Sequence, residues 1–416
     1  MFNYRKAWAL IMAAVFLQLA GGVLNVVTPL GLEALGVGAF SIGLIAAVYA
    51  AGFMAGAAIG PMALARIGNI RTFAAAAAAT AGGVLAMQLT LDPFAWTMIR
   101  LIHGGSFALM LASAESWLGA SAPPNGRSGL TAVYHVSAKA ALVVGPFFAA
   151  GGPPLADRPF LWCGLFLAIA LIPVCVSRQA EPPPPRNAPL PLRQLTRVAP
   201  AAVLGVFLAG VANTGTLSLL PVFAENTFPL REGGVTRSAA FALAAVWLGG
   251  LISQWPAGAL SNRFDRRLII AGLGAIAAVA ALGLSVLTGR DPHEATLALL
   301  ALWGAGSLSF YGVCVAHAAD RSNPAEFARV MSGLLFVFAA GSVIGPPLSG
   351  LAMRTEFGPG GLFLFAAVVS AALSIAMLVR RHRRAPVIEM EREAWSITQP
   401  TSVQGAEIDP RAGSGG

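Results

Sequence analysis

Long apolar runs recur along almost the whole of this 416-residue chain. A membrane-spanning helix needs roughly 20 mostly apolar residues, and about twelve runs of that length can be drawn. The sequence therefore predicts an all-α membrane protein with about 12 transmembrane helices, in two pseudo-symmetric six-helix halves. The predicted limits are 8–30, 38–64, 72–91, 95–118, 128–151, 159–177, 199–223, 237–261, 268–288, 294–318, 328–352 and 360–379.

One proline-rich segment divides the runs into two groups of six. Residues 178–198 form the long polar internal segment, and four consecutive prolines within it prevent a helix. We predict an N-terminal bundle at 1–177, a cytoplasmic linker at 178–198 and a C-terminal bundle at 199–380. The polar tail at 381–416 is rich in Pro, Gly and Ser, which predicts disorder.

Charge is scarce and unevenly placed. Charged residues make up 11% of the chain, against about 25% in soluble domains, and the net charge is +9. Most arginines fall in the even-numbered turns and the tail, so the positive-inside rule predicts two cytoplasmic termini in an inner (plasma) membrane. The positive charge therefore indicates the orientation of the helices in the lipid bilayer, and no nucleic-acid partner is expected.

Five ionisable side chains interrupt the fourth and fifth apolar runs: Arg100, His103, Glu115, His135 and Lys139. Ionisable groups in a bilayer are costly and usually face a cavity. Lys139 lies about 11 residues into its run, or about 16 Å at 1.5 Å per residue, too deep to reach the surface easily. The histidines could instead be packed, hydrogen-bonded core residues, and Glu115 could be either a proton carrier or a structural acid.

Two stretches recur at an offset of about half the chain. GPMALARIGNIRT at 60–72 is matched by GALSNRFDRR at 258–267, and VVGPFFAAG at 143–151 by VIGPPLSG at 343–350. Matched halves with a site between them are typical of secondary transporters. Three cysteines, Cys163, Cys175 and Cys314, lie inside apolar runs and predict no disulfide framework.

These stretches carry a family resemblance. GALSNRFDRR resembles the loop signature G-x-L-a-D-R-x-G-R-[RK] of the major facilitator superfamily, RLIHGGSFA its fourth-helix signature, and VVGPFFAAGG its fifth-helix Gly-Pro signature. The run AESWL is similar to a bacterial, often drug-type branch. The loop departs from the signature, because its acidic position is Ala65 in the first copy and Asn262 in the second, and its usual second glycine is Asp265.

The resemblance implies roles for further residues. In that family the first, fourth, seventh and tenth helices line the cavity, which adds Gln18, Asn25, Asn213, Thr216 and Tyr311 to Arg100, His103, His135 and Lys139. Gly145–Pro146 and Gly345–Pro346 are expected to bend rocking helices, although they could be structural kinks. The gating-loop candidates, which could also be topology signals alone, are Arg66, Gly68, Arg71, Gly258, Arg263, Asp265, Arg266 and Arg267.

The resemblance predicts a monomeric, non-enzymatic secondary transporter of a small molecule that works by alternating access, with a proton as the coupling ion. No nucleotide-binding GxxxxGK[ST] and no zinc-binding H-E-x-x-H occur, so neither a cofactor nor a metal is expected. A receptor or scaffold is the alternative from another class. Two half-chain repeats with buried charges argue against it.

The charges of the cavity candidates bear on the substrate. Arg100 and Lys139 are cations, and Glu115 is the only acid in the same hairpin, about 12 Å from Lys139 along the membrane normal at 1.5 Å per residue. Either Lys139 is neutral in the empty site or an anionic group completes the site. Both favour an organic anion. The competing hypothesis is a proton-coupled multidrug exporter of neutral or cationic compounds.

Overall fold

The computed structural model describes residues 8–121, 127–176, 189–229, 236–290, 293–383, 392–409 and 411. Twelve of its helices are long and apolar enough to cross a membrane, as the apolar runs predict. They are α1 Trp8–Ala34, α2 Ala39–Ile67, α3 Asn69–Leu89, α4 Pro93–Ser121, α5 Arg127–Val144, α6 Asp157–Val176, α7 Pro200–Thr227, α8 Arg237–Arg263, α9 Arg266–Leu287, α10 (His293–Ser307 and Phe310–Ala319), α11 Phe327–Ala352 and α12 Gly361–Arg383.

Two local features differ from a set of straight helices. The tenth helix is interrupted between Ser307 and Phe310, and α5 ends at Val144, where Gly145–Phe148 tightens into a 3-10 turn. In α11, by contrast, the helix continues through Pro346. The sequence alone predicts the same kind of bend at both Gly-Pro sites. A proline has no amide hydrogen to donate to the helix. The helix ends before Pro146 in α5, whereas α11 accommodates Pro346 in its interior.

The predicted linker lies largely outside the described residues. Its last part, expected to be non-helical, contains a short helix at Leu192–Val198 that begins directly after Pro191. This placement is favourable, because the first turn of a helix leaves its amides unpaired and leading prolines therefore cost little. Leu195 in that helix is fully buried, so the end of the linker packs against the C-terminal half.

The two halves meet directly at one end of the molecule. We call the end that carries the α2–α3 turn, the α8–α9 turn and Arg380–Arg383 the basic end, and the other the opposite end. At the opposite end Thr236 Oγ1 donates to the Ala149 carbonyl over 2.7 Å, and Asn226 Nδ2 to Glu33 Oε1 over 2.7 Å. These bonds join α7 and α8 to the N-terminal half at that end.

The prediction of a disordered tail is wrong for residues 392–409 and 411. The structure places them between the halves at the basic end, with Thr398, Ser402, Gln404 and Asp409 all buried. The polar composition that is typical of disorder is here compatible with a fixed position, because the buried polar groups find partners on the helices. The preceding residues, 384–391, lie outside the described part.

Candidate functional site

A cavity of about 280 Å³ lies between the halves, and its wall includes residues of both halves and of the tail. Towards the opposite end it continues into a second space of about 170 Å³, which shares Asn25, Tyr49 and Arg100 with it. Ligand sites for small organic molecules begin at roughly 300 Å³. The two spaces together are therefore large enough for a small solute.

Seven of the nine cavity candidates line this wall: Gln18, Asn25, Arg100, His103, Lys139, Asn213 and Tyr311. The expectation for the other two is corrected. His135 is buried beside Tyr134, with 5.1 Å between the ring centroids, and Thr216 is fully buried inside α7. Residues three or four positions apart share a helix face but differ in depth by about one turn, roughly 5 Å, so the cavity wall can end between them.

Arg100 is held against an aromatic ring on α2. Its guanidinium carbon lies 4.1 Å from the centroid of the Tyr49 ring, a cation–π geometry. The side chain is buried and its Nε has no partner within the described part of the chain. An arginine held this way keeps donors available for a bound group.

Glycines bring Tyr49 and Arg100 together. A Cβ on Gly104 of α4 would overlap the Tyr49 carbonyl, and one on Gly52 of α2 would overlap the Leu101 carbonyl. The backbones of α2 and α4 therefore approach more closely than larger residues would permit. Gly52, Gly56 and Gly60 recur every four residues along α2, a spacing that permits such close packing. This packing places the ring under the guanidinium.

Lys139 and His103 complete the charged wall. Lys139 on α5 is buried and lines the cavity, and within the described ranges no acidic side chain forms an ion pair with it. His103 Nε2 lies 3.1 Å from the Thr80 carbonyl on α3, while its Nδ1 has no partner among the described residues. No Asp or Glu occurs among the described lining residues of either space.

The C-terminal half supplies an uncharged wall. Ser307 Oγ donates to Asn213 Oδ1 over 2.5 Å, and Thr214 Oγ1 to Ser342 Oγ over 2.8 Å. The Tyr311 ring packs edge-on against Phe338 at 5.4 Å. The cavity is therefore asymmetric, because its cations come from α4 and α5, whereas the described lining residues of the C-terminal half are uncharged.

The lining residues that were not predicted include Tyr49, Thr214, Trp247, Gln254 and Ser342. Gln254 could have been found, because it is an amide inside an apolar run, as Gln18 is. Tyr49 and Trp247 give no such signal, since an aromatic residue in a membrane helix faces lipid, core or cavity equally well.

Glu115 lies outside the wall, deeper towards the basic end. It is fully buried, Tyr134 Oη donates to its Oε1 over 3.3 Å, and Ser402 of the tail donates to its Oε2. Within the described chain no basic side chain forms an ion pair with it. Its described partners are therefore hydroxyl groups, and those of Ser402 and Thr401 come from the tail.

The two loop copies differ in what they contact. In the second copy Arg266 pairs with Asp320 at 2.6 Å, Arg267 with Asp265 at 2.8 Å, and all but Asp265 are nearly inaccessible. Burial alone would raise the pKa of Asp265, but hydrogen bonds from Arg267 hold that pKa below its usual value. Arg263 is exposed.

In the first copy Arg66 and Arg71 are exposed. Gly68 joins α2 to α3 with a φ of +81° and a ψ of 169°, a conformation almost restricted to glycine.

Twelve membrane-length helices in two halves around a partly charged central cavity define a multi-pass membrane transporter. The family model of the Major Facilitator Superfamily matches residues 10–291 and 234–407. The chain belongs to this superfamily.

Relatives and solved structures agree with this assignment. An uncharacterized MFS-type transporter, YcaD, of Salmonella enteritidis PT4 is 24% identical over 390 residues, which are 92% of this chain and 97% of the relative. An uncharacterized MFS-type transporter of Enterobacter sp. is 25% identical and covers 91% of this chain and 96% of its own.

Among solved structures, the nucleoside transporter NupG superposes with a TM-score of 0.72 at 13% identity, over 90% of this chain and 98% of its own. A bacterial homologue of the human lysosomal transporter Spinster, in an inward-facing and occupied conformation, has a TM-score of 0.72 at 17% identity, over 94% and 98%. At these identities the likeness establishes the fold.

Proposed function

We propose that this protein is a monomeric secondary transporter that moves a small organic anion across the inner membrane by alternating access, driven by a proton gradient. The observation that supports an anion is the pair of cavity cations, Arg100 and Lys139, neither of which forms an ion pair within the described chain. Buried charges are stable in proteins when they are paired. A carboxylate or phosphate on the solute would supply the missing partner.

The arrangement of donors fits such a group. Arg100 is oriented by Tyr49, so its planar fork can bind a carboxylate with two parallel hydrogen bonds. Lys139 contributes a single mobile charge from the neighbouring helix. The amide and hydroxyl groups of the C-terminal half, such as Gln254 and Tyr311, face the same space and would bind the uncharged part of the solute.

The two ends support alternating access. The halves touch at the opposite end, while the tail separates them at the basic end. A solute bound at Arg100 would reach the other side when the contacts of Thr236 and Asn226 open and the basic end closes. We assign the basic end to the cytoplasm, as the distribution of arginines predicts.

Transport by reconstituted protein tests the anion. Lys139→Ala should reduce organic-anion uptake into liposomes about 10- to 100-fold, because a hydrogen bond to a charged group contributes roughly 1.5–3 kcal/mol. Arg290→Ala is the matched control, since it removes an exposed cation at the end of α9, outside the cavity. Its anion uptake should equal that of the wild type.

A proton-coupled exporter of neutral or cationic compounds is the second candidate. The buried carboxyl of Glu115 is the observation that favours it, because an acid without a basic partner among the described residues can exchange a proton. Organic-cation transport that survives Lys139→Ala, with no anion transport by either protein, would establish this candidate and reject the anion. Absence of any solute flux would leave a receptor or scaffold.

A further inference from the structure

The C-terminal segment, which we define as residues 392–409 and 411, begins on the second loop copy. Arg392 donates to the Phe264 carbonyl over 3.0 Å, and the Trp395 amide donates to Asn262 Oδ1 over 3.0 Å. The Glu393 amide donates to Asp320, whose partner Arg266 in turn donates to the Glu393 carbonyl. The segment is therefore anchored by main-chain bonds at a site formed by the loop signature.

Trp395 fits a notch made by two glycines. A Cβ on Gly258 would overlap the indole ring, and one on Gly312 would lie 3.4 Å from the indole nitrogen. The glycine that opens the second loop copy thus admits the ring. Asn262, where the family signature has an acid, accepts the amide of the same residue.

The segment then crosses the basic end of the cavity. Thr398, Gln399, Pro400 and Thr401 line the cavity wall directly. Gln399 Nε2 donates to the His135 carbonyl on α5 over 3.4 Å, and Ser402 donates to Glu115 on α4. These bonds attach the segment to the N-terminal half.

Its remaining residues pack between the halves. Val403 is buried in a cluster with Ala57 and Ala108 of the N-terminal half and Leu335 of α11. Arg411 pairs with Asp409 at 2.7 Å, and its guanidinium lies 5.1 Å from the Phe327 ring centroid. The segment therefore touches both halves along its length.

We propose that the C-terminal segment is an autoinhibitory plug that occupies the basic-end mouth of the cavity. The proposal rests on the alternating-access function above. In that cycle the halves must approach at the basic end, and the volume held by residues 398–403 prevents this. The solute also cannot pass the wall that Thr398–Thr401 forms. Transport therefore requires release of the segment.

The chemistry of the segment suits reversible docking. It is largely polar, so release exposes many groups that water can solvate. The apolar contacts that release has to break are concentrated at Trp395, Val403 and Ala406. Both amide atoms of Gln404 are buried without a partner in the described residues, which weakens docking. Because these buried polar atoms lack hydrogen bonds in the docked state, a small loss of other contacts can release the segment.

Thiol accessibility tests the plug without relying on transport. Ala339 lines the cavity behind the segment, so Ala339→Cys, with Cys163, Cys175 and Cys314 replaced by alanine, reports access from the basic end. A membrane-impermeant methanethiosulfonate reagent is applied to the full-length protein. Val403→Asp places a charge in the apolar cluster, and Ala394→Asp places the same charge at an exposed position of the same segment.

Val403→Asp, and separately Trp395→Ala, should raise the labelling rate about tenfold or more, as expected when a docking equilibrium shifts towards the open state. Ala394→Asp should leave it unchanged. Solute flux should rise in the same two variants. Labelling that is equal in all variants, each with an unchanged thermal midpoint, would overturn the plug.

The two proposals fail separately. If labelling rises in Val403→Asp but no solute flux is detected, the result supports the docked segment and contradicts the transport proposal. If flux is measured but Val403→Asp and Trp395→Ala do not change the labelling rate, the result supports the transport proposal and rejects the plug. A synthetic peptide of residues 392–411 should restore protection to the Trp395→Ala protein, and the same peptide with Ala at position 395 should not.

Discussion

The two copies of the loop signature begin from similar sequences and end in different surroundings. In the first, the arginines Arg66 and Arg71 are exposed, and the turn is made by Gly68 at positive φ. In the second, Arg266 is buried in an ion pair with Asp320, and the turn is made by Asp265, which caps α9 by accepting from the Arg267 amide.

The difference lies in what each copy binds. The second copy is the docking site of the C-terminal segment, and its departures from the family signature are the positions that bind the segment or hold its site together. Of these departures, Asn262 accepts the Trp395 amide, and Asp265 caps α9 and pairs with Arg267. Gly258, which the signature also has, makes room for the Trp395 ring. A repeated motif can therefore keep its fold while one copy takes a partner from its own chain.

Removing the buried arginine should have the largest effect on stability. Arg266→Ala leaves Asp320 buried without its partner, which typically costs about 3–5 kcal/mol. Arg71→Ala, at an exposed position of the first copy, should change the free energy of unfolding by at most about 0.5 kcal/mol. Thermal unfolding of both variants in one detergent measures the difference.

The double variant Arg266→Ala/Asp320→Ala is the control for this prediction. It removes the stranded carboxylate as well, so it should recover part of the loss. Equal destabilisation by Arg266→Ala and Arg71→Ala would show that the two loops are energetically equivalent.

The leading glycines provide the next test. Gly258→Ala would force a methyl group into the Trp395 ring, and overpacking of this kind costs about 1–3 kcal/mol. At Gly60 the nearest atom to an added Cβ is the Ala112 Cβ, at 3.6 Å. Gly60→Ala should therefore be neutral or stabilising by up to about 1 kcal/mol through helix propensity.

Labelling of Ala339→Cys and thermal midpoints are the measurements for this pair. Gly258→Ala should raise labelling while Gly60→Ala leaves it unchanged. In a Trp395→Ala background the effect of Gly258→Ala should disappear, because the colliding ring is gone. An effect that persists there would place the cause within α8 itself.

The helices were predictable from the sequence because length and hydropathy are local properties. The same holds for Arg100 and Lys139, since a charge inside an apolar run is visible without any knowledge of its neighbours. The break in α10 after Ser307 was not predictable, because no proline marks it and packing against other helices decides it.

The tail and the aromatic wall needed the tertiary structure. The composition of residues 392–411 is typical of disorder, and the groups that fix it, Glu115 and Asn262, are far away in the chain. Likewise, the stacking of Tyr49 on Arg100 follows from the close approach of α2 and α4, which sequence spacing indicates but does not orient.

The smallest expected effect concerns the charge of the turn residue in the second copy. Asp265 pairs with Arg267 and lies 3.8 Å from Arg381. Asn is as good a helix cap as Asp, so Asp265→Asn removes the charge and keeps the cap. The expected loss at pH 7 is a fraction of about 1 kcal/mol, because solvent screens a partly exposed pair.

The pH dependence of this loss gives the sharper test. Burial opposes the ionised form of Asp265, but the hydrogen bonds from Arg267 outweigh it and keep the pKa of the folded state below the usual value. The carboxylate therefore stabilises the fold at pH values above the unfolded-state pKa, roughly 3.9, and this contribution disappears as the pH falls through the folded-state pKa.

The thermal midpoints of wild type and Asp265→Asn should differ at pH 7 and converge towards pH 3. Gly68, at the corresponding position of the first copy, has no titratable group, so Gly68→Ala should give a difference from wild type that does not vary with pH. A constant difference for Asp265→Asn across the same range would show that its charge adds nothing to the second loop.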